Sequence, residues 1–307
     1  MILCCGEALI DMLPRRTTAD EAAFSPYAGG ALFNTAIALG RLGAPTEFFS
    51  GISTDLFGQQ LMRVLAESKA GTRYAHFSAR PTTLAFVDLK DGHATYVFYD
   101  EGTAGRMLSP EDLPNLADDV DALLFGAISL IPEPCGSTYE ALMAREHKTR
   151  VTMLDPNIRP GFIPDRARHA ERILRMVAMA DIVKVSDEDL AWFGEAGSPE
   201  DIARAWLDRG PKLIVMTRGG KGAIAYSREH TVAVEPKMVQ VVDTVGAGDT
   251  FNAGVLASLN EQGLLNKAAV ASLSEDAIQR ALALGAKAAA VTVSRAGANP
   301  PWRHEID

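Results

Sequence analysis

Short apolar runs of four or five residues alternate along the chain with longer stretches in which apolar side chains recur every three or four positions. The short runs predict buried strands and the longer stretches predict amphipathic helices. Strands are expected at 2–5, 122–125, 151–154, 182–185, 213–216 and 223–226, each ending near Gly, Asp or Ser. Helices are expected at 31–42, 59–67, 167–179, 199–208, 250–260 and 275–290. Such alternation requires crossover connections, so the class is α/β, with a mainly parallel sheet covered on both faces. One stretch breaks the rhythm. Residues 84–99 alternate in character around Asp91-Gly92, the mark of a hairpin rather than a crossover. The extended, polar segment 12–27 is placed to pair with that hairpin as a small antiparallel sheet over one edge of the main domain.

With 307 residues, 47% of them hydrophobic, the chain can bury a substantial core. Its 39 acidic and 30 basic side chains leave a net charge of −9, which argues against a nucleic-acid partner. An anionic ligand would have to be held locally, by glycine-loop amides, a helix end or a metal ion. Cys4, Cys5 and Cys135 lack metal-ligand spacing, and the six histidines are scattered, which points to a reducing, cytoplasmic setting. Glu7 and Asp11 interrupt the first apolar stretch and Lys287 interrupts the alanine-rich segment 281–293, so neither reads as a signal peptide or a membrane span.

Neither common phosphate fingerprint is present: Lys221 is followed by Gly222 rather than Ser or Thr, and no G-x-G-x-x-G opens a helix. The most informative segment runs from Asp243 to Gly254, DTVGAGDTFNAG, where small residues lead into a helix whose first turn carries a carboxylate. Amides at Gly246, Ala247 and Gly248 would converge on a phosphoryl group at the positive end of the helix dipole. Asp249 then reads either as the base for an attacking hydroxyl or as a helix cap. Ala28 to Ala36, AGGALFNTA, again sets glycines before a helix, with Asn34 offering a donor and an acceptor to hydroxyls. Asp11 stands near the end of the first strand, where side chains of an open α/β sheet reach ligands. Asp155 to Pro160, DPNIRP, brings Arg159 as a phosphate partner or a structural ion-pair member. Thr217 to Gly222, TRGGKG, joins two strands and would lay amides against a nucleotide.

Together these segments resemble the ribokinase-like, or PfkB, family of sugar and nucleoside kinases from Gly6 to Pro301. Asp243 to Leu256 matches the carboxy-terminal signature of that family and Gly29 to Ala36 its amino-terminal one. The resemblance implies a three-layer sandwich with a small β-sheet lid, the main domain being 1–11, 28–83 and 104–307 and the lid 12–27 and 84–103. It implies transfer of the γ-phosphoryl group of ATP to a sugar hydroxyl. Asp249 would be the base, with the amides of Gly246 to Asp249 as anion hole and Arg159 near the phosphates or the sugar. Asp11, Gly29, Gly30, Asn34 and the lid aromatics Tyr96 and Phe98 would contact the sugar. Thr217, Gly219, Gly220, Gly222, Gly248 and Ala286 would lie on ATP. Mg²⁺ would accompany ATP, and a monovalent cation, K⁺, would sit near Asp243 and the Val245 carbonyl.

Two departures mark the chain. Where the family usually has N-x-x-E, this sequence reads Ser186-Asp187-Glu188-Asp189, so Ser186 and Asp189 are expected to reach the metal through water. Ala286 stands where relatives often place Asn or His near adenine, which leaves apolar packing to recognise the base. The segment Ala94 to Arg106 resembles the lids of bacterial fructokinases. Asp100 follows Tyr99, where a kinase of 2-keto-3-deoxygluconate would place an arginine for the substrate carboxylate. The order of expectation is fructose, then ribose or another neutral sugar, then 2-keto-3-deoxygluconate. A sugar- or nucleotide-binding regulator without activity is the alternative from another class, and the lid strands would allow a homodimer.

Overall fold

The computed structural model describes residues 1–90 and 93–307. The turn expected at Asp91-Gly92 lies outside the described residues. In chain order the first half comprises β1 (Ile2–Cys5), β2 (Leu9–Arg16), β3 (Ala22–Gly29), α1 (Ala31–Arg41), β4 (Thr46–Phe49) and β5 (Gly51–Ser53). There follow α2 (Leu56–Glu67), β6 (Ala70–Gly71), β7 (His76–Ser78), β8 (Leu84–Lys90), β9 (His93–Tyr99), β10 (Ala122–Gly126) and α3 (Cys135–Glu146). The second half adds β11 (Val151–Asp155), α4 (Arg166–Met179), β12 (Ile182–Ser186), α5 (Asp187–Phe193), α6 (Pro199–Leu207) and β13 (Leu213–Thr217). It closes with β14 (Ala223–Tyr226), β15 (Thr231–Val234), α7 (Ala247–Glu261), α8 (Lys267–Val270) and α9 (Glu275–Val293).

Nine strands form the central sheet in the order β15-β14-β13-β12-β11-β10-β1-β4-β6. All its pairings are parallel except those of β14 and β15 at one edge. Because the sheet is covered on both faces, its inner strands β1, β10 and β11 bury every residue, while the edge strand β15 alternates exposed and buried positions. In β1, Ile2 and Cys4 enter one core with α1, α2, α7, α8 and α9. Leu3 and Cys5 enter the other with α3, α4, α5 and α6. These are the three layers the sequence pattern requires.

The lid is a four-stranded sheet, β3-β2-β8-β9. It is mixed rather than the expected antiparallel sheet: β2 pairs antiparallel with β3, and β8 with β9, but β2 and β8 run parallel. Both rise from the main domain at the same edge and in the same direction, so they cannot form an antiparallel pair. Its strands also reach further down than the segment expected, to Leu9 and Gly29.

Two helix starts move upstream of their predicted positions. The Asp55 side chain accepts the Gly58 amide at 2.8 Å, so α2 begins at Leu56. Gly246, at φ 76°, turns the chain directly into α7, so Asp249 is the third residue of the helix rather than its preceding cap. Gly254 of α7 faces Gly285 of α9 so closely that a β-carbon on Gly254 would stand 2.6 Å from the Gly285 Cα. That tight crossing draws Ala286 up beside the start of α7.

Candidate active site

Every segment singled out from the sequence, apart from the lid hairpin, leads from or into the carboxyl edge of the parallel strands, where open α/β sheets hold ligands. β1 leads into Glu7, β11 ends on Asp155, β12 on Ser186 and β13 on Thr217. Ser186 and Thr217 are direct partners in the β12–β13 register.

Asp249 is the centre of this edge. It is 7% exposed, and its Oδ2 accepts a hydrogen bond from Asn34 Nδ2 at 2.9 Å across 215 residues of sequence. The Thr35 hydroxyl donates to the Asp249 carbonyl at 3.2 Å, which fixes the first turn of α7 against α1. Burial pushes the carboxyl up to about 7. The Asn34 amide opposes that rise, Asp155 adds to it, and Lys184 and Arg159 oppose it. A carboxylate that titrates near neutrality is matched to taking a proton from an alcohol at physiological pH.

The acceptor side is assembled around Glu7, Asp11 and the glycine pair. A β-carbon on Gly29 would stand 2.2 Å from Asp11 Oδ2, and one on Gly30, at φ 113°, would stand 2.6 Å from the Glu7 carbonyl. Glycine is therefore required at Gly30, whereas a side chain at Gly29 would displace the Asp11 carboxylate. Glu7 Oε1 accepts the Ala31 amide at 2.8 Å and Oε2 accepts the Ser129 amide at 3.3 Å. Glu7 thereby caps α1 from another segment, since Gly30 offers no side chain to do so. Burial raises Glu7 to about 7 and Asp11 to about 6. Of the three raised carboxyls only Glu7 lines the cavity under the lid; Asp11, Asp249, Gly29, Gly30 and Asn34 do not.

The lid closes this side with its inner face. Tyr96 and Phe98 pack edge-on against Phe162, with ring centroids 6.4 and 4.7 Å apart. A cavity of about 390 Å³ beneath them is lined by Glu7, Phe98, Asp100, Arg106, Ser129 and Phe162, among others. Asp100 pairs with Arg106 at 2.9 Å, so its charge is balanced within the lid hinge. Arg159 is exposed, its guanidinium donates to the Ile158 carbonyl at 3.0 Å, and its charge is felt by both Asp249 and Tyr96.

Beside the first turn of α7 lies a second cavity of about 460 Å³. Thr217, Gly219, Gly220, Gly222, Gly248 and Ala286 all line it, together with the apolar Val239, Val241, Phe251 and Val293. Gly222, at φ 83°, passes so close to Val234 that a β-carbon would stand 2.1 Å from its carbonyl oxygen. This cavity has the size and apolar walls a purine base requires.

Other predicted residues are tied into the frame. Asp189 Oδ1 accepts the Ile158 amide at 2.9 Å and its Oδ2 the Ser186 amide at 3.1 Å, while Ser186 Oγ accepts the Asp189 amide at 3.0 Å. The pair forms a capping box on α5 and holds the Asp155–Arg159 loop. Neither residue lines the 460 Å³ cavity. Asp243 accepts the Val245 amide at 3.0 Å and the Gly297 amide at 2.9 Å, which lashes the loop before α7 to the turn after α9. Among the described residues no group of three or more His, Cys, Asp or Glu side chains is placed to hold a metal ion. No helix there is long and apolar enough to cross a membrane.

Sequence reading passed over Glu7, Lys184 and Phe162. The signals were charged residues inside otherwise apolar strand ends, Glu7 after 2–5 and Lys184 within Ile182–Ser186, both of which are costly to bury without a purpose.

Comparison with known proteins agrees with this geometry. The chain is 60% identical over 279 residues to a fructokinase of Rhizobium leguminosarum bv. trifolii, covering 91% of this chain and 86% of that one. It superposes on a fructokinase of Xylella fastidiosa with bound ATP at a TM-score of 0.88, with 29% identity, covering 97% of this chain and 93% of that one. It likewise superposes on a fructokinase of Vibrio cholerae O395 in its fructose-, ADP- and calcium-bound form, at a TM-score of 0.82 and 26% identity, covering 97% and 94%. The family model for pfkB family carbohydrate kinases matches residues 1–305, and with both signatures assembled around Asp249 the chain belongs to that family.

Proposed function

We propose that the protein is an ATP-dependent fructokinase, transferring the γ-phosphoryl group of ATP to a hydroxyl of fructose with Asp249 as general base. The observation that carries the chemistry is a buried carboxyl raised to about 7 in the first turn of a glycine-led helix, whose neighbour Gly248 lines an apolar cavity of about 460 Å³. The fructokinase likeness at 60% identity supports the acceptor.

The amides of Gly246 to Asp249, at the positive end of α7, stabilise negative charge on the group in transit. Asp249 takes the proton of the attacking hydroxyl, and Asn34 orients it. Asp11 and Gly30 meet the remaining hydroxyls, and Tyr96, Phe98 and Phe162 cover the ring and exclude water. The carboxyls of Glu7, Asp11 and Asp249 favour a neutral polyol over a sugar acid, and the balanced Asp100–Arg106 pair leaves that selection to them. The 460 Å³ cavity takes the nucleotide, with adenine against Ala286 and its apolar neighbours. The donor set suits a Mg²⁺ that arrives on the nucleotide's phosphates and keeps its waters, rather than one held in a protein cage. The Asp243-tied loop, with the Val245 carbonyl, is where K⁺ would act.

The test is a coupled assay of ATP turnover with Mg²⁺ across fructose, ribose, 2-keto-3-deoxygluconate and fructose 6-phosphate, with and without K⁺. The reading expects kcat/KM highest for fructose and raised by K⁺; a preference for another acceptor would replace the substrate while leaving the kinase in place.

The outer face of the lid supports a homodimer. Phe86 stacks edge-on between Phe24 and Tyr99 at 5.0 and 5.5 Å, and Phe24, Val97 and Tyr99 remain 49%, 48% and 62% exposed. A second copy would cover this apolar face. Light scattering is expected to give a dimer that Phe24→Ser with Tyr99→Ser converts to a monomer.

A further inference from the structure

Gly248 is a glycine without a backbone reason. It lies within the first turn of α7, outside the positive-φ residues, where alanine would be up to about 1 kcal/mol more favourable. A β-carbon there would meet one heavy atom within 4 Å, the Lys184 Nζ at 3.2 Å. The missing β-carbon leaves an opening between the start of α7 and that ammonium.

Lys184 is itself an anomaly. It sits in β12 between Val183 and Val185, is 5% exposed, and turns toward α7 while its valine neighbours enter the opposite core. Its Nζ donates to Asp155 Oδ2 at 3.1 Å, and Asn252 Nδ2 donates to the same oxygen at 2.6 Å. Asp155 is 3% exposed and its Oδ1 has no hydrogen-bond partner among the described residues. A buried ion pair of this kind contributes little to stability that an apolar pair would not supply as well. Its cation lies 3.2 Å from where a β-carbon on Gly248 would stand, beside the start of α7.

We propose that Lys184 is a further catalytic residue, its ammonium reaching through the gap at Gly248 to the oxygens of the phosphoryl group in transit. The proposal rests on the kinase reading above. In the step, the acceptor oxygen forms its bond to the γ-phosphorus as the bond to the β-bridging oxygen breaks. ADP leaves with that electron pair, Asp249 receives the hydroxyl proton, and Lys184 keeps its own protons throughout. Asp155 and Asn252 act as positioning residues that aim the ammonium at the gap.

The decisive comparison is wild type against Lys184→Met combined with Asp155→Asn, which removes the pair without leaving a buried charge alone. A second variant, Gly248→Ala, leaves both residues in place and narrows the gap. The double variant is expected to keep its fold by thermal melting and its KM for fructose within about twofold, and to lose kcat by roughly 10²-fold, the scale of a lost anion-hole donor. Gly248→Ala is expected to lower kcat while keeping its fold by thermal melting. Asp249 is faced by Glu7, Asn34, Asp155, Arg159 and Lys184, so the loss is measured at pH 7 and pH 9. A loss that persists at pH 9 supports contact with the phosphoryl group. Full recovery at pH 9, or an unchanged kcat at both, overturns it and leaves Lys184 a tuner of the base or a strut. If the wild type turns over no sugar, the kinase reading fails separately. The ratio of affinities for a non-hydrolysable ATP analogue and ADP then decides, a drop of about tenfold in the double variant being expected and an unchanged ratio overturning the proposal.

Discussion

Asp249→Asn separates chemistry from folding, because the two should move in opposite directions. In the folded chain burial raises the carboxyl from 3.8 to about 7. Between those values the unfolded chain has released the proton while the folded one retains it, so stability falls as pH rises through that window and the loss is complete above about 7. At roughly 1.4 kcal/mol per pH unit, the separation corresponds to about 4 kcal/mol of stability withheld at pH 8. Asparagine still accepts from Asn34 and carries no charge beside Asp155, so most of that penalty disappears. The variant should melt several degrees higher than wild type at pH 8, converge with it near pH 4, and lose roughly 10²–10⁴-fold in kcat as a base is removed. Thermal melts from pH 4 to 9 with parallel kcat measurements check both. A variant that is less stable than wild type at pH 8 would refute the claim that burial raises the Asp249 carboxyl. Undiminished kcat would remove it from the base role.

Removing the Asn34 amide with Asn34→Ala should move the acid limb of kcat/KM upward from about 7, because the amide favours the ionised carboxylate, leaving activity low at pH 7 and partly restored near pH 9. A uniform drop with an unmoved limb would confine Asn34 to sugar contact. Ala286→Phe should fill part of the apolar cavity and raise KM for ATP by about tenfold or more while KM for fructose stays within twofold, as steady-state kinetics in both substrates will show.

Much of the frame was legible without coordinates. Apolar runs such as Ile2–Cys5 and Ala223–Tyr226 match their strands because a strand covered on both faces must be apolar throughout. The Asp243–Gly254 segment announced its helix and its carboxylate because the glycines, small residues and acid lie together in sequence. Local rules misplaced the starts of α2 and α7, where a cap at Asp55 and the left-handed turn at Gly246 decide the boundary.

What sequence order by itself determined is the layered α/β frame, legible strand by strand, and the glycine turn with its carboxylate at Asp249, encoded within a dozen contiguous residues. What only the tertiary structure decided is which distant groups meet. Asn34 reaches Asp249 across 215 residues, Glu7 caps a helix that begins 24 residues later, and Lys184 of β12 comes to rest behind Gly248 of α7. Burial of those meetings shifts the carboxyls toward neutrality, and burial is a property of the packed chain that no local pattern carries.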